Sequence, residues 1–146
     1  MYTLFTIVAT NSKVADELCQ EASMFSVLIV EDNPTFRLSL KELLLDEFPS
    51  LEVEEAADGK EAFQKIEALH PHLIFMDIRL PGENGLQLTR KIKSLHPEII
   101  VIILTSYDLP EYREAAKRAR ANHFITKGSP SGELIEIVRS LISGSV

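Results

Sequence analysis

Short apolar runs and amphipathic stretches alternate along most of the chain. The runs "FSVLIV" (25–30), "LEVEEA" (51–56), "LIFM" (73–76), "IIVIIL" (99–104) and "HFIT" (123–126) are rich in β-branched or aromatic residues. Most are apolar on both faces, as strands of a parallel sheet covered on both sides must be. "LEVEEA" alternates and carries three glutamates, which predicts a sheet edge. Between the runs, apolar residues recur at helical spacing: Phe36, Leu40, Leu43, Leu44 and Phe48, and later Leu134, Val138, Leu141 and Ile142. Pro34, Pro110 and Pro130 suit first-turn positions, with Asn33 and Ser129 as N-caps. "KIEALHP" (65–71) and "KIKSLHP" (91–97) both stop at His-Pro before a strand, and Phe48-Pro49 does likewise.

Five strand-helix units in about 120 residues predict an open parallel α/β sheet with right-handed crossovers. The first 23 residues stand outside the pattern. Within them, residues 10–22 place Val14, Leu18 and Ala22 on one helical side, and Met24 directly precedes the first core strand. At 146 residues and 45% hydrophobic, the chain fits one domain with a full core. A net charge of −7 and a pI of about 5.1 exclude a basic nucleic-acid footprint, so any DNA contact needs another segment or partner. With Cys19 as its single cysteine, the chain has no intrachain disulfide, and a reducing cytoplasm is the simplest compartment. The longest apolar run is far too short to span a bilayer. The opening "MYTLFTIVAT" has no Lys or Arg ahead of it, which argues against a signal peptide.

In open α/β sheets, ligands sit outside the carboxyl ends of the strands. The first strand ends in Glu31 and Asp32, the third in Asp77, the fourth in Thr105 and Ser106, and the fifth in Lys127. Three carboxylates this close repel one another unless a cation is present. Mg²⁺ suits a site with few carboxylates, several waters and a phosphoryl oxygen. Asp32 and Asp77 are the expected direct ligands, and Glu31, being longer, acts through a water. Lys127 and Thr105 are then free to meet the ligand, and Asp77 beside the loop is the natural nucleophile for phosphoryl transfer. Taken singly, each residue has a plainer explanation: a helix cap at Asp32, a strand-closing Thr105, a solvated Lys127. Asp77 resists one, because Asp is depleted in strands and costly beside a core. His70, His72, His96 and His123 lie at the opposite edge and read as structural, and the charged run "EYREAAKRAR" (111–120) reads as a solvated helix face.

The motifs "VLIVEDN", "LIFMDIRLPGENGL", "VIILTS" and "FITKG", in that order and spacing, resemble the receiver domain of two-component response regulators. The resemblance covers residue 25 to about residue 143 and divides the chain into an extension (1–23) and a receiver domain (24–146). It implies a flavodoxin-like (βα)5 fold with strand order 2-1-3-4-5. It implies that Asp77 accepts a phosphoryl group from a phosphohistidine of a sensor histidine kinase, with Mg²⁺ required. Glu31 and Asp32 match the acidic pair, Thr105 the switch hydroxyl, Lys127 the phosphate-pairing lysine and Phe124 the aromatic switch; the Arg79 backbone carbonyl completes the metal ligands. Arg79 stands where the family's side chain lines the route of hydrolytic water. Where the family often has a cis proline after the lysine, this chain has Gly128, Ser129 and Pro130.

"MDIRLPG" resembles regulators with a LuxR-type helix-turn-helix output domain. The chain ends in "SGSV", where a linker would begin, so it reads as a receiver taken from a longer regulator or as a single-domain receiver. The cationic residues Arg113, Lys117, Arg118 and Arg120, set against Glu133 and Glu136, suggest a symmetric dimer on phosphorylation. Three other classes compete. A phosphatase of the haloacid-dehalogenase type needs a second Asp where Arg79 stands. A flavin-binding module needs a phosphate-cradling loop after the first strand. A pseudo-receiver would bind partners without phosphorylation, at odds with the intact acid, hydroxyl and amine set.

Overall fold

A computed structural model describes residues 25–144; the expectations for residues 1–23 fall outside them. Five parallel strands form the main sheet: β1 (Ser26–Val30), β2 (Glu52–Ala56), β3 (Leu73–Met76), β6 (Ile100–Thr105) and β7 (His123–Thr126). Their spatial order is β2-β1-β3-β6-β7, the order expected of the flavodoxin-like fold. The helices are α1 (Pro34–Glu47), α2 (Gly59–Leu69), α3 (Gly85–Leu95), α4 (Pro110–Arg118) and α5 (Ser131–Ser143). One addition was not expected: a short antiparallel hairpin of β4 (Arg79–Leu80) and β5 (Glu83–Asn84) after β3. Pro81 and Gly82 make its turn, with Gly82 at φ +75, where a side chain would be strained.

Strand alternation divides the core into two layers. Leu28, Val30, Ile74, Met76, Val101 and Ile103 face Ala62, Ile66, Leu88, Ile92 and Ala116 on α2, α3 and α4. Val27, Ile29, Phe75, Ile102 and Leu104 face Leu40 and Leu44 on α1 and Leu134, Ile135 and Val138 on α5. Because every central strand is apolar on both sides, helices must cover both faces. The edge position of β2 holds, with Glu52 and Glu54 exposed.

The helix signals hold with one exception. Asn33 Oδ1 accepts from the Thr35 and Phe36 amides at 3.0 and 3.2 Å, with Pro34 opening α1. Pro110 likewise opens α4, and α2 and α3 end at His70 and His96. Ser129 does not cap α5: Pro130 holds the N-cap position, and the Ser129 hydroxyl bonds the Thr126 hydroxyl at 2.7 Å. The strand-end partner competes successfully for the short side chain. At the amino edge, His72 Nδ1 accepts from the Ser26 amide at 3.0 Å and its ring stacks on Phe25. No described helix is long and apolar enough to cross a membrane.

Candidate functional site at the carboxyl edge of the sheet

Four adjacent strands deliver the chemistry to one edge. Glu31 and Asp32 follow β1, Asp77 follows β3, Thr105 closes β6 and Lys127 follows β7. One carboxylate oxygen from each of Glu31, Asp32 and Asp77 lies within 4.8 Å of the others. Lys127 Nζ stands 2.5 Å from Glu31 Oε1 and 3.6 Å from Asp77 Oδ2. Thr105 is fully buried, and its Oγ1 accepts from the Tyr107 amide at 3.2 Å.

The electrostatics of Glu31 are costly in this arrangement. It is buried, and its Oε2 has no hydrogen-bond partner among the described residues. Burial, with the Asp77 carboxyl alongside, pushes the Glu31 carboxyl up to about 7, and Lys127 offsets only part of this. A buried carboxylate with a free oxygen, facing two further carboxylates, fits a hard oxygen-ligated divalent cation. Asp32 is the exposed member of the three, on the open side of the cluster.

Local contacts hold the set in place. Arg37 on α1 donates from one guanidinium nitrogen to the Glu31 carbonyl at 2.7 Å and from Nε to Glu55 Oε1 at 3.0 Å. The Ile78 amide donates to Asp77 Oδ1 at 2.9 Å, which leaves Oδ2 on the lysine side. Gly85, the first residue of α3, approaches the loop after β3 so closely that a Cβ would stand 1.8 Å from the Asp77 carbonyl oxygen. Its amide donates to the Ile78 carbonyl at 2.8 Å. The hairpin places the Arg79 guanidinium 3.8 Å over the Tyr107 ring, so the loops after β3 and β6 touch.

Phe124 packs half-buried on the α4 side of the sheet, on the same face as Thr105. The guanidinium of Arg113 lies 4.7 Å over its ring. Sequence reasoning assigned no role to Gly85, Arg37, Tyr107 or Asp108; Arg113 lies on an exposed helix face as expected, but its stacking on Phe124 was not foreseen. A glycine opening a helix was visible as a signal. The other contacts join distant segments and left none.

A family model described as the response regulator receiver domain matches residues 27–139. The chain is 35% identical over 119 residues to the oxygen regulatory protein NreC of Staphylococcus carnosus, covering 81% of this chain and 55% of that protein. It is 32% identical over 118 residues to the transcriptional activator protein ExaE of Pseudomonas putida, with 81% and 55% covered. The chain thus spans about half the length of these relatives. Among solved structures, a CheY-like receiver domain protein from Methanospirillum hungatei superposes with a TM-score of 0.75 at 31% identity, over 83% of this chain and 95% of that one. A LuxR-family DNA-binding response regulator from Staphylococcus aureus superposes with a TM-score of 0.74 at 28% identity, over 81% and 98%. The family match runs from β1 into α5 and takes in every strand end that builds this site, and the chain therefore belongs to the family of response regulator receiver domains.

Proposed function

We propose that this receiver is switched by phosphorylation of Asp77, with a sensor histidine kinase as phosphoryl donor. An Asp77 carboxylate oxygen attacks the phosphorus of a phosphohistidine in line. The P–O bond forms as the P–N bond breaks, and the imidazole nitrogen keeps the electron pair and takes a proton. Glu31, Asp32, Asp77 and the Arg79 carbonyl would hold Mg²⁺, which neutralises charge on the phosphoryl oxygens. Lys127 leaves Glu31 to pair with the phosphoryl group, and the Thr105 hydroxyl donates to it. The observation that carries this reading is the meeting of three carboxylates, Lys127 and buried Thr105 at one sheet edge.

Phosphorylation adds roughly two negative charges at Asp77. Drawing Thr105 toward them frees space on its face of the sheet, and Phe124 turns into it. The surface formed by α4, β7 and α5 then presents a different shape to a second copy or to a partner or output domain, which controls transcription. Lys117 pairs with Glu114 at 3.6 Å and Glu136 with Arg139 at 3.5 Å, so a dimer through this face would exchange these pairs for intersubunit ones.

Incubation with acetyl phosphate and Mg²⁺, followed by intact mass, tests the reading. A single acid-stable, base-labile phosphate that is absent from Asp77→Asn is expected. Rapid multiple turnover of a phosphomonoester would favour a phosphatase, and no adduct from any donor or kinase would favour a pseudo-receiver.

A further inference from the structure

The loop after β6 and the first turns of α4 hold Phe124 from outside. Arg113 Nε donates to Asp108 Oδ1 at 2.6 Å while its guanidinium covers the Phe124 ring at 4.7 Å. Asp108 from the β6–α4 loop thus anchors Arg113 on α4, and Arg113 in turn covers the ring of Phe124 on β7. The guanidinium is planar and delocalised, so it can stack on the ring and keep its charged hydrogen bond at once. That hydrogen bond holds the Asp108 carboxyl below the usual carboxylate range.

The proposed switch takes the ring toward Thr105. The parallel register sets Ile103 opposite Phe124 and Thr105 opposite Thr126. Phe124 and Thr105 thus share the α4 face, one strand and one residue pair apart. A surface cavity of about 570 Å³ opens beside α4, and Asp108, Arg113 and Phe124 form part of its wall. If the ring turns inward toward Thr105, it must leave the guanidinium, and the cavity changes shape.

We propose that Arg113, anchored by Asp108, is a latch that holds Phe124 in its unphosphorylated position and so sets the resting bias of the switch. This rests on the reading of Phe124 as the moving element. Arg113 and Asp108 are positioning residues that act through Phe124. Their contribution is modest, because both side chains are about half exposed. A cation over an aromatic ring at an exposed site supports roughly a two- to fivefold shift in the equilibrium.

Fluorine NMR of protein labelled with fluorophenylalanine tests the latch. The Phe124 signal is identified by its loss in Phe124→Leu. In the wild type, beryllofluoride with Mg²⁺ is expected to move that signal to a second position. Arg113→Ala is expected to raise the population at that second position about two- to fivefold without beryllofluoride. Asp108→Asn, which frees the guanidinium without removing it, should shift it the same way by less. A wild-type response with both variants unchanged at rest would overturn the latch alone. A wild-type signal that ignores beryllofluoride would overturn the switch, and the latch with it.

Discussion

Lys127 is bonded to Glu31 rather than to Asp77, at 2.5 Å against 3.6 Å. In this state the ammonium spends its charge on the buried carboxylate whose other oxygen has no partner among the described residues. Lys127 and a divalent cation compete for the same acids, so removing the lysine should help the cation. Lys127→Met is expected to bind Mg²⁺ about three- to tenfold more tightly, as read by calorimetry at a pH high enough to keep Glu31 ionised without the lysine that lowers its carboxyl. The same variant should be phosphorylated by acetyl phosphate much more slowly, since the phosphoryl group loses its ammonium partner. Weaker Mg²⁺ binding in the variant would count against the competition.

The approach of α3 to the loop after β3 makes Gly85 a steric constraint on Asp77. A Cβ at 1.8 Å from a backbone oxygen cannot be accommodated by side-chain rotation. Gly85→Ala is expected to cost about 3 kcal/mol in urea denaturation, typical of severe overpacking. It should also displace Asp77 and slow phosphorylation. Gly82→Ala, with nothing near its Cβ position but a φ of +75, should cost less and leave phosphorylation nearly intact.

Glu55 steadies the site at one remove, through Arg37 and the Glu31 carbonyl. Burial pushes its carboxyl up, but the hydrogen bonds from Lys41 and Arg37 outweigh this and hold it below its ordinary 4.5. A depressed carboxyl stabilises the fold fully above its unfolded value and loses that stabilisation as pH falls through the folded one. Glu55→Gln should therefore lower stability by up to about 1 kcal/mol at pH 7, the scale of a partly exposed pair. The difference from wild type should shrink on acidification below pH 4.5 and vanish below the folded value. Thermal melts at several pH values check this, and a difference that grows in acid would contradict it.

The stack of Arg79 on Tyr107 joins the loops after β3 and β6, two residues beyond Asp77. Opening it should admit water to the aspartyl phosphate. Tyr107→Ala and Arg79→Ala are each expected to shorten the phosphate lifetime several-fold. The double variant should be little faster than either single one, because both remove the same contact. Additive effects in phosphate-release assays would show that the two residues act separately.

Much of this molecule was legible before any coordinates. The central strands announce themselves because a sheet covered on both sides needs residues such as Val27 to Val30 apolar at every position. Polar residues that interrupt such runs at one end, Glu31, Asp77, Thr105 and Lys127, must then gather at one edge. Asn33 as a cap follows from local chemistry alone, and it holds. Local chemistry misled at Ser129, where Thr126 competes for the same hydroxyl.

Contacts between separate segments were settled by the tertiary structure. Composition cannot tell that Lys127 leans to Glu31, that Gly85 touches the Asp77 carbonyl, or that Arg113 covers Phe124. A periodic pattern reports which face of an element is buried, because burial repeats with the helix or strand. It does not report which side chains of different elements meet, because that depends on strand register, hairpin geometry and the crossing of α4 over the sheet. The strands, the edge and the chemistry gathered there follow from the residue pattern alone. The packing of the loops decided which cation holds which carboxylate and what restrains the aromatic ring.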